Sequence, residues 1–233
     1  MSNRTKLIEK IQSTDKSWWP IYFEKRKLHD DNKLQKGLGP CPYEGDLENA
    51  RIVMLLANPG FDNESLDEFR FINAHNGDHD YPFPGLNPKA TGNLKKWWKS
   101  HLKALVDVLN EGKTEDEKLQ IISQRVAALQ LVPWASKTFD DGLIESKATG
   151  PIPSHKLMLE QAENSLARKG TIVLLMRCES NWRRSKKINH LLENKSQRQI
   201  FTPNTLRRPY VSKGNFSKSN GAWEAIIEAI NRH

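Results

Sequence analysis

The stretch LLANPGFDNES, residues 55–65, places an amide and two carboxylates directly after an apolar run. The amide of Asn58 can donate and accept hydrogen bonds, although an amide is too weak a base to remove a proton. Asp62 and Glu64 follow a few residues later, and one of them could act as a general base or stabilise a developing cation. The proline and glycine after Asn58 are also common turn formers, so an ordinary strand exit is the alternative interpretation.

Three further segments combine aromatic, amide or cationic side chains with turn formers: residues 80–85 (DYPFPG), 129–133 (LQLVP) and 202–210 (TPNTLRRPY). An aromatic ring can stack on a planar ligand. An amide side chain can both donate and accept hydrogen bonds, and arginines bind phosphate groups. Each segment also has a purely structural alternative, namely core packing, a satisfied buried amide or a basic surface loop.

Four apolar runs are predicted to form the strands that position these segments: residues 51–57 (RIVMLLA), 126–134 (VAALQLVPW), 171–177 (TIVLLMR) and 198–203 (RQIFTP). Residues 52–57 of the first run (IVMLLA) are continuously apolar, which is typical of a strand covered on both faces. Helical segments separate the runs, which favours a three-layer α/β sandwich with a central, mostly parallel four-stranded sheet. The carboxyl ends of such strands meet at one edge, where Asn58, Gln130, Arg177 and the run after Thr202 are expected together.

Helices are predicted from apolar periodicity and from capping residues. Ser154 is predicted to cap a helix that runs to about Lys169 and stops at Gly170. The other predicted helices are residues 93–110, 181–192 and 221–232. Residues 1–48 are predicted to be a helical or irregular extension of a single domain whose core spans residues 49–233.

Composition narrows the class of protein. A formal charge of +8 favours a polyanionic partner such as nucleic acid. Two cysteines are too few for a four-cysteine metal or iron–sulfur site, and they favour a reducing, cytoplasmic setting. Neither a signal peptide nor a membrane span is predicted. The HNGDHD stretch, residues 75–80, has ligand residue types but no ligand spacing, so no metal is predicted.

The ordered set of segments resembles the uracil-DNA glycosylase superfamily and is most similar to its mismatch-specific uracil/thymine branch. That branch carries Asn-Pro-Gly after the first strand, as residues 58–60 do here. It then has an aromatic in a Tyr-Pro-x-Pro-Gly-like stretch before a Trp-containing helix, and a loop rich in proline and serine after the last strand. The resemblance covers roughly residues 51–216.

The resemblance implies roles for individual residues. Asn58 would hold the attacking water. Apart from the resemblance, Asp62 is the expected catalytic carboxylate, and Glu64 stays open as the alternative. The expected base-binding residues are Gly60, Phe61, Tyr81, Phe83 and Gln130, with Tyr81 as the stacking ring and Phe83 as the second choice. Leu206 and Arg208 would fill the vacated stack. The expected DNA-binding set is Asn204, Thr205, Leu206, Arg207, Arg208 and Lys213.

The chain also departs from the family pattern. Gln130 stands where the family often carries an asparagine, and residues 202–205 (TPNT) replace the His-Pro-Ser-Pro of uracil-specific members. Strictly uracil-specific relatives carry a bulky aromatic at the place of Gly60. Its absence predicts a pocket that tolerates a substituent at C5, from thymine and hydroxymethyl-pyrimidines to the larger modified cytosines of phage DNA.

These expectations describe a monofunctional DNA glycosylase that flips a modified or mismatched pyrimidine out of double-stranded DNA and hydrolyses its N-glycosidic bond. It would act as a monomer, without metal or organic cofactor, in base-excision repair or in defence against phages. Two alternatives stay open: a non-catalytic DNA-binding protein on the same scaffold, and an α/β enzyme that acts on free nucleotides.

Overall fold

The chain folds around a five-stranded, mostly parallel sheet with helices against both faces, in a computed structural model that describes residues 2–25, 33–60, 66–109, 112–194, 199–205, 210–219 and 221–232. The strands are β1 (Tyr43–Glu44), β2 (Ile52–Leu56), β3 (Val126–Gln130), β4 (Ile172–Leu175) and β5 (Ile200–Phe201). Their order across the sheet is β1-β3-β2-β4-β5, and only β1 runs antiparallel to its neighbour. The α/β class is confirmed, whereas the predicted number of four strands is wrong.

Helices occupy most of the segments between the strands. Their bounds are α1 (Asn3–Asp15), α2 (Trp18–Lys25), α3 (Leu66–His75), α4 (Gly92–Asp107), α5 (Glu115–Arg125), α6 (Gly142–Glu145), α7 (His155–Ala167), α8 (Glu179–Trp182), α9 (Lys186–Glu193) and α10 (Ala222–Asn231). Among the helices in the described ranges, none has the length and apolar character needed to cross a membrane.

The central strand β2 is buried along its whole length, as its uninterrupted apolar sequence predicts. Successive side chains of a strand point to opposite faces of the sheet. Val53 and Leu55 therefore join one apolar cluster with α1, α2 and α7. Ile52 and Met54 join a second cluster with α4, α5 and α10. Side chains of β2 thus pack against helices in both clusters.

The N-terminal 48 residues were predicted to be only helical or irregular, and this is wrong for residues 43–44, which form β1. Two residues are too few to produce a recognisable alternating pattern. The helices α1 and α2 are part of the core, because Ile11, Trp19 and Tyr22 are almost completely buried.

The start of α7 is held by Asp15 rather than by Ser154. Ser154 stands at the N-cap position, as predicted, but it has helical backbone angles and its side chain makes no capping hydrogen bond. The buried Asp15 carboxylate accepts hydrogen bonds from the Ser154 backbone nitrogen at 2.8 Å and from Trp134 Nε1 at 2.7 Å. This aspartate ties α1 to the loop after β3.

Candidate active site

A cleft of about 590 Å³ opens at the carboxyl ends of β2, β3 and β4. This is the sheet edge at which parallel α/β folds bind their ligands. Side chains that follow three different strands meet there, as the sequence predicts for Asn58, Gln130 and Arg177. The remaining walls come from β1, α3, α4 and the loop after β3. The cleft is also lined by Glu44, Gly60, Trp97, Trp98, Ser136 and Phe139.

The backbone beyond β2 is held against the backbone beyond β3. Val132 N donates to Ala57 O at 2.9 Å, and Ser136 N donates to Pro59 O at 3.2 Å. Gly60 and Ser136 form an isolated parallel bridge. The Asn-Pro-Gly segment is therefore not a simple turn away from the sheet, because it continues alongside the neighbouring chain into the cleft.

The Asn58 side chain is oriented by hydrogen bonds from its amide nitrogen. Asn58 Nδ2 donates to Ser136 Oγ at 2.8 Å and to Pro59 O at 3.1 Å. Ser136 Oγ in turn donates to Thr138 O at 2.7 Å. Ser136 is buried, so this relay is shielded from solvent. With the nitrogen engaged, the amide oxygen is the atom that can accept a hydrogen bond from a ligand or a water molecule.

Gln130 and Glu44 form a polar wall on the side of the sheet that faces α4. Glu44 of β1 pairs with Ala128, two residues before Gln130 on β3, so both side chains lie on the same face. Gln130 is 3% exposed and Glu44 is 5% exposed. Within the part of the chain that the structure describes, Gln130 Oε1 and Glu44 Oε2 are buried and have no hydrogen-bond partner. Such atoms are rare in folded proteins and call for an explanation.

Burial raises the pKa of Glu44 from its ordinary value of 4.5 to about 8. The carboxylate loses its hydration inside the protein, which disfavours the charged form. The Arg4 guanidinium and the Trp98 indole lower this pKa only in part. Glu44 is therefore mostly a neutral acid at pH 7, and it can donate a hydrogen bond as well as accept one.

Two of the aromatics predicted to contact the base, Tyr81 and Phe83, do not line the cleft. Phe83 is completely buried, with its ring 4.6 Å from that of Trp98, so its prediction as a stacking surface is wrong. Tyr81 lies outside the cleft, where its hydroxyl donates to Asp116 O at 3.2 Å. The aromatic residues that do line the cleft include Trp97, which is 37% exposed, and the half-buried Phe139.

Trp97 belongs to a series of stacked rings that leads out of the cleft. The centroid of its ring lies 3.6 Å from the centroid of the His101 ring, and the two ring planes form an angle of 20°. His101 lies 4.5 Å from the exposed Tyr210 ring. Burial lowers the pKa of His101, and the nearby Arg177 acts in the same direction, so this imidazole is neutral at pH 7.

Helix α4 is positioned by two close approaches. Glu68 of α3 accepts hydrogen bonds from the backbone nitrogens of Asn93 and Leu94, and so caps the first turn. The second approach is at Gly85, where an added Cβ would lie 2.0 Å from Trp98 Cδ1. Only glycine lets the chain pass this close to the tryptophan.

Gly60 leaves the mouth of the cleft open. A Cβ atom built at this position would meet no atom within 4 Å among the described residues. The residue is exposed and lines the cleft. A side chain here would therefore extend into free space at the entrance instead of disturbing the core.

Amide side chains hold the described residues of the predicted DNA-binding set in place. Asn204 Nδ2 donates to Gly214 O at 2.8 Å and to Ser217 Oγ at 2.9 Å. Thr205 N donates to Asn215 Oδ1 at 3.1 Å. Lys213 is exposed on the same loop. Asn204, Thr205 and Lys213 do not line the cleft, and the hydrogen bonds of Asn204 give it a structural role in shaping the loop.

Several predicted site residues lie outside the described residues: Phe61, Asp62, Leu206, Arg207 and Arg208. Their predicted roles stay predictions. Within the described ranges, no group of three or more His, Cys, Asp or Glu side chains is arranged to hold a metal ion.

Ser136 and Glu44 are among the site residues that the sequence did not predict. Ser136 follows an apolar run and a proline, and nothing in its neighbours indicates a contact with a residue 78 positions earlier. Glu44 left a weak signal, since a glutamate in CPYEG stands among residues that favour burial. No protein-family description, curated protein or solved structure matches this chain.

Proposed function

We propose that the protein is a DNA glycosylase that hydrolyses the N-glycosidic bond of a flipped pyrimidine, on a three-layer α/β scaffold. The observation that carries this proposal is the orientation of Asn58 by Ser136, at the carboxyl end of the central strand. The amide oxygen is available to a water molecule while the amide nitrogen is engaged at 2.8 Å. The sequence resemblance and the hydrogen bonds that link Asn58, Ser136 and Thr138 independently support Asn58 as the central residue.

Asn58 acts by position rather than by basicity. The C1′–N1 bond breaks as its electron pair moves into the base, and the sugar acquires cationic character at C1′. A water that donates a hydrogen bond to Asn58 Oδ1 is held with its lone pairs free to attack this carbon. Orienting a reactant in this way accounts for a large part of many enzymatic rate enhancements. Asp62 is proposed as the carboxylate that assists.

The cleft has the size and lining that a flipped nucleotide requires. Its volume of about 590 Å³ lies in the range of small-molecule sites. Trp97 and Phe139 supply flat apolar surfaces for the base, in place of the predicted Tyr81 and Phe83. Stacking on such rings stabilises a bound base by about 1–3 kcal/mol. Gln130 presents an amide to the base edge.

Cationic side chains stand at the mouth of this cleft. Arg177 and Lys137 both line it and are exposed. They would contact the phosphates that flank the extruded nucleotide, as Lys213 and Arg207 would farther along the duplex. The overall charge of +8 supports a polyanionic partner.

The test is incubation with duplex oligonucleotides that carry one uracil, thymine, cytosine or C5-substituted pyrimidine each. Free base is measured by mass spectrometry, and abasic sites are measured by strand cleavage in alkali. Release of at least one pyrimidine, with matching abasic sites, is expected. If no duplex loses a base, the proposal is wrong. Salt-sensitive DNA binding would then favour a non-catalytic DNA-binding protein, and its absence an enzyme of free nucleotides.

A further inference from the structure

The wall formed by Glu44 and Gln130 has buried oxygen atoms to which the water-positioning role of Asn58 gives no function. The two residues are diagonal neighbours on adjacent strands, whose Cα atoms are about 7–8 Å apart in regular sheets. Both side chains are more than nine-tenths buried, yet both line the cleft. Each ends in an oxygen without a partner among the described residues. Two unpartnered oxygens in one wall fit a ligand that presents an amino group.

We infer that Glu44 and Gln130 read the amino–imino edge of a cytosine-type base, so that 4-aminopyrimidines are the substrate class. This inference rests on the proposed function and specifies it further. The exocyclic N4 amino group offers two N–H donors, one for each oxygen. The adjacent N3 is an acceptor, and the protonated Glu44 carboxyl can donate to it. A uracil-type base places a carbonyl oxygen where the amino group would stand, opposite the two acceptors.

The environment of Glu44 supports the neutral carboxyl that this reading needs. Desolvation raises its pKa to about 8, against the opposing effects of Arg4 and Trp98. Cys41, beside β1, has a pKa raised to about 12 by burial and does not titrate in the same range. Among the described residues, the other charged side chains that line the cleft are Glu68, Lys137 and Arg177.

The same proton can assist departure of the base. As the C1′–N1 bond breaks, its electron pair enters the ring and Glu44 transfers its proton to N3. Water supplies the hydroxyl to C1′ and releases one proton, which restores the acid. The sum of these steps is hydrolysis, with base and sugar each gaining one part of a water molecule. Glu44 would then be a general acid whose protonated form is present below about pH 8.

The experiment measures single-turnover base release from pairs of duplexes whose target bases carry the same C5 substituent. The pairs are cytosine and uracil, 5-methylcytosine and thymine, and 5-hydroxymethylcytosine and 5-hydroxymethyluracil. Wild type, Glu44→Gln and Glu44→Ala are measured between pH 6 and 9.5. Wild type is expected to prefer each amino base at least about tenfold. Glu44→Gln should release amino bases more slowly than wild type, because an amide cannot transfer a proton to N3. It should still prefer amino bases, without a decline above about pH 8, because an amide also donates to N3 and accepts from N4. Glu44→Ala should lose the preference.

Each outcome decides the inference. If wild type releases uracil-type bases as fast as or faster than amino bases, the inference is overturned and the glycosylase proposal stands. The same holds if Glu44→Ala keeps the preference of wild type. If no base is released, the proposed function fails. The affinities for dCMP and dUMP, measured by calorimetry, then test the inference in place of the release rates. Tighter binding of dCMP by wild type but not by Glu44→Ala then supports the reading of the edge, and equal binding overturns it. Circular dichroism checks that both variants fold.

Discussion

Asn58 Nδ2 lies 2.8 Å from Ser136 Oγ, and that hydroxyl donates to the Thr138 carbonyl oxygen at 2.7 Å. The relay links the segment after β2 to the segment after β3. Because Ser136 Oγ has given its own hydrogen to Thr138, it can only accept from Asn58. The side-chain nitrogen must therefore point to Ser136, which leaves the amide oxygen to accept a hydrogen bond, as the proposed function requires.

Replacement of Ser136 by alanine should slow catalysis without weakening DNA binding. The Asn58 amide would lose the hydrogen bond that sets its orientation, and the water would be held less accurately. We expect kcat to fall about tenfold or more, with KM nearly unchanged. The measurement is steady-state base release together with DNA affinity. The matched control is Ser180→Ala, at an exposed serine in α8. Equal kcat values for both variants would show that the relay has no role in catalysis.

A bulky side chain at position 60 should restrict the substrate range. In Gly60→Tyr the new ring extends into the open entrance of the cleft, because no described atom lies within 4 Å of the added Cβ. We expect at least about a tenfold loss of activity on C5-substituted pyrimidines and little loss on their unsubstituted counterparts, since steric exclusion acts only on the larger base. Gly37→Tyr, at another exposed and open glycine, is the control. A uniform loss on all bases would contradict the steric interpretation.

Trp97 rather than Tyr81 should provide the stacking surface for the base. Trp97 lines the cleft, whereas Tyr81 lies outside it with its hydroxyl bonded to Asp116 O. Truncation of Trp97 to alanine removes a stacking contact of about 1–3 kcal/mol. We expect kcat/KM to fall about tenfold in Trp97→Ala and to change much less in Tyr81→Ala. The reverse order would restore the prediction made from sequence resemblance.

Glu44 should make the folded state less stable as the pH rises. In the unfolded chain this carboxyl releases its proton near pH 4.5, whereas the folded protein holds it to about pH 8. The folded state binds more protons between these values, so the free energy of unfolding falls with increasing pH in that window. The loss is complete above about pH 8 and is of the order of a few kcal/mol.

Glu44→Gln removes this titration. The variant should gain stability over wild type progressively from pH 4.5 to about pH 8, as measured by urea unfolding at several pH values. Glu224→Gln, at an exposed position in α10, should run parallel to wild type. Parallel curves for Glu44→Gln and wild type would mean that the Glu44 carboxyl titrates normally.

The sequence predicted the elements that bury continuous or periodic apolar surface. The strands β2, β3 and β4 and the helix α4 have such patterns, and their predicted positions are confirmed within a few residues. The strand β1 was missed because two residues carry no pattern, and it brings Glu44 to the cleft. Helices α1 and α2 were predicted to belong to an extension, whereas Trp19 and Tyr22 of α2 are part of the core.

Within the site, prediction worked where topology alone places a residue. Asn58, Gln130 and Arg177 each follow or end a parallel strand, so a general rule about strand ends brings them together. The prediction that Phe83 contacts the base was wrong because an aromatic residue after a loop can pack inward as readily as it can face a ligand. The Asn58–Ser136 contact depends on how two loops run side by side, which a local pattern cannot encode.

The most direct test of the proposed function is the single-turnover rate of base release by Asn58→Ala on the best wild-type substrate, with DNA affinity measured in parallel. The catalytic role of Asn58 predicts a fall of about 100-fold or more in the rate, since a positioning group for the attacking water is lost. The affinity should stay within about threefold of wild type. A rate equal to that of wild type at saturating enzyme would contradict the role of Asn58 in holding the water.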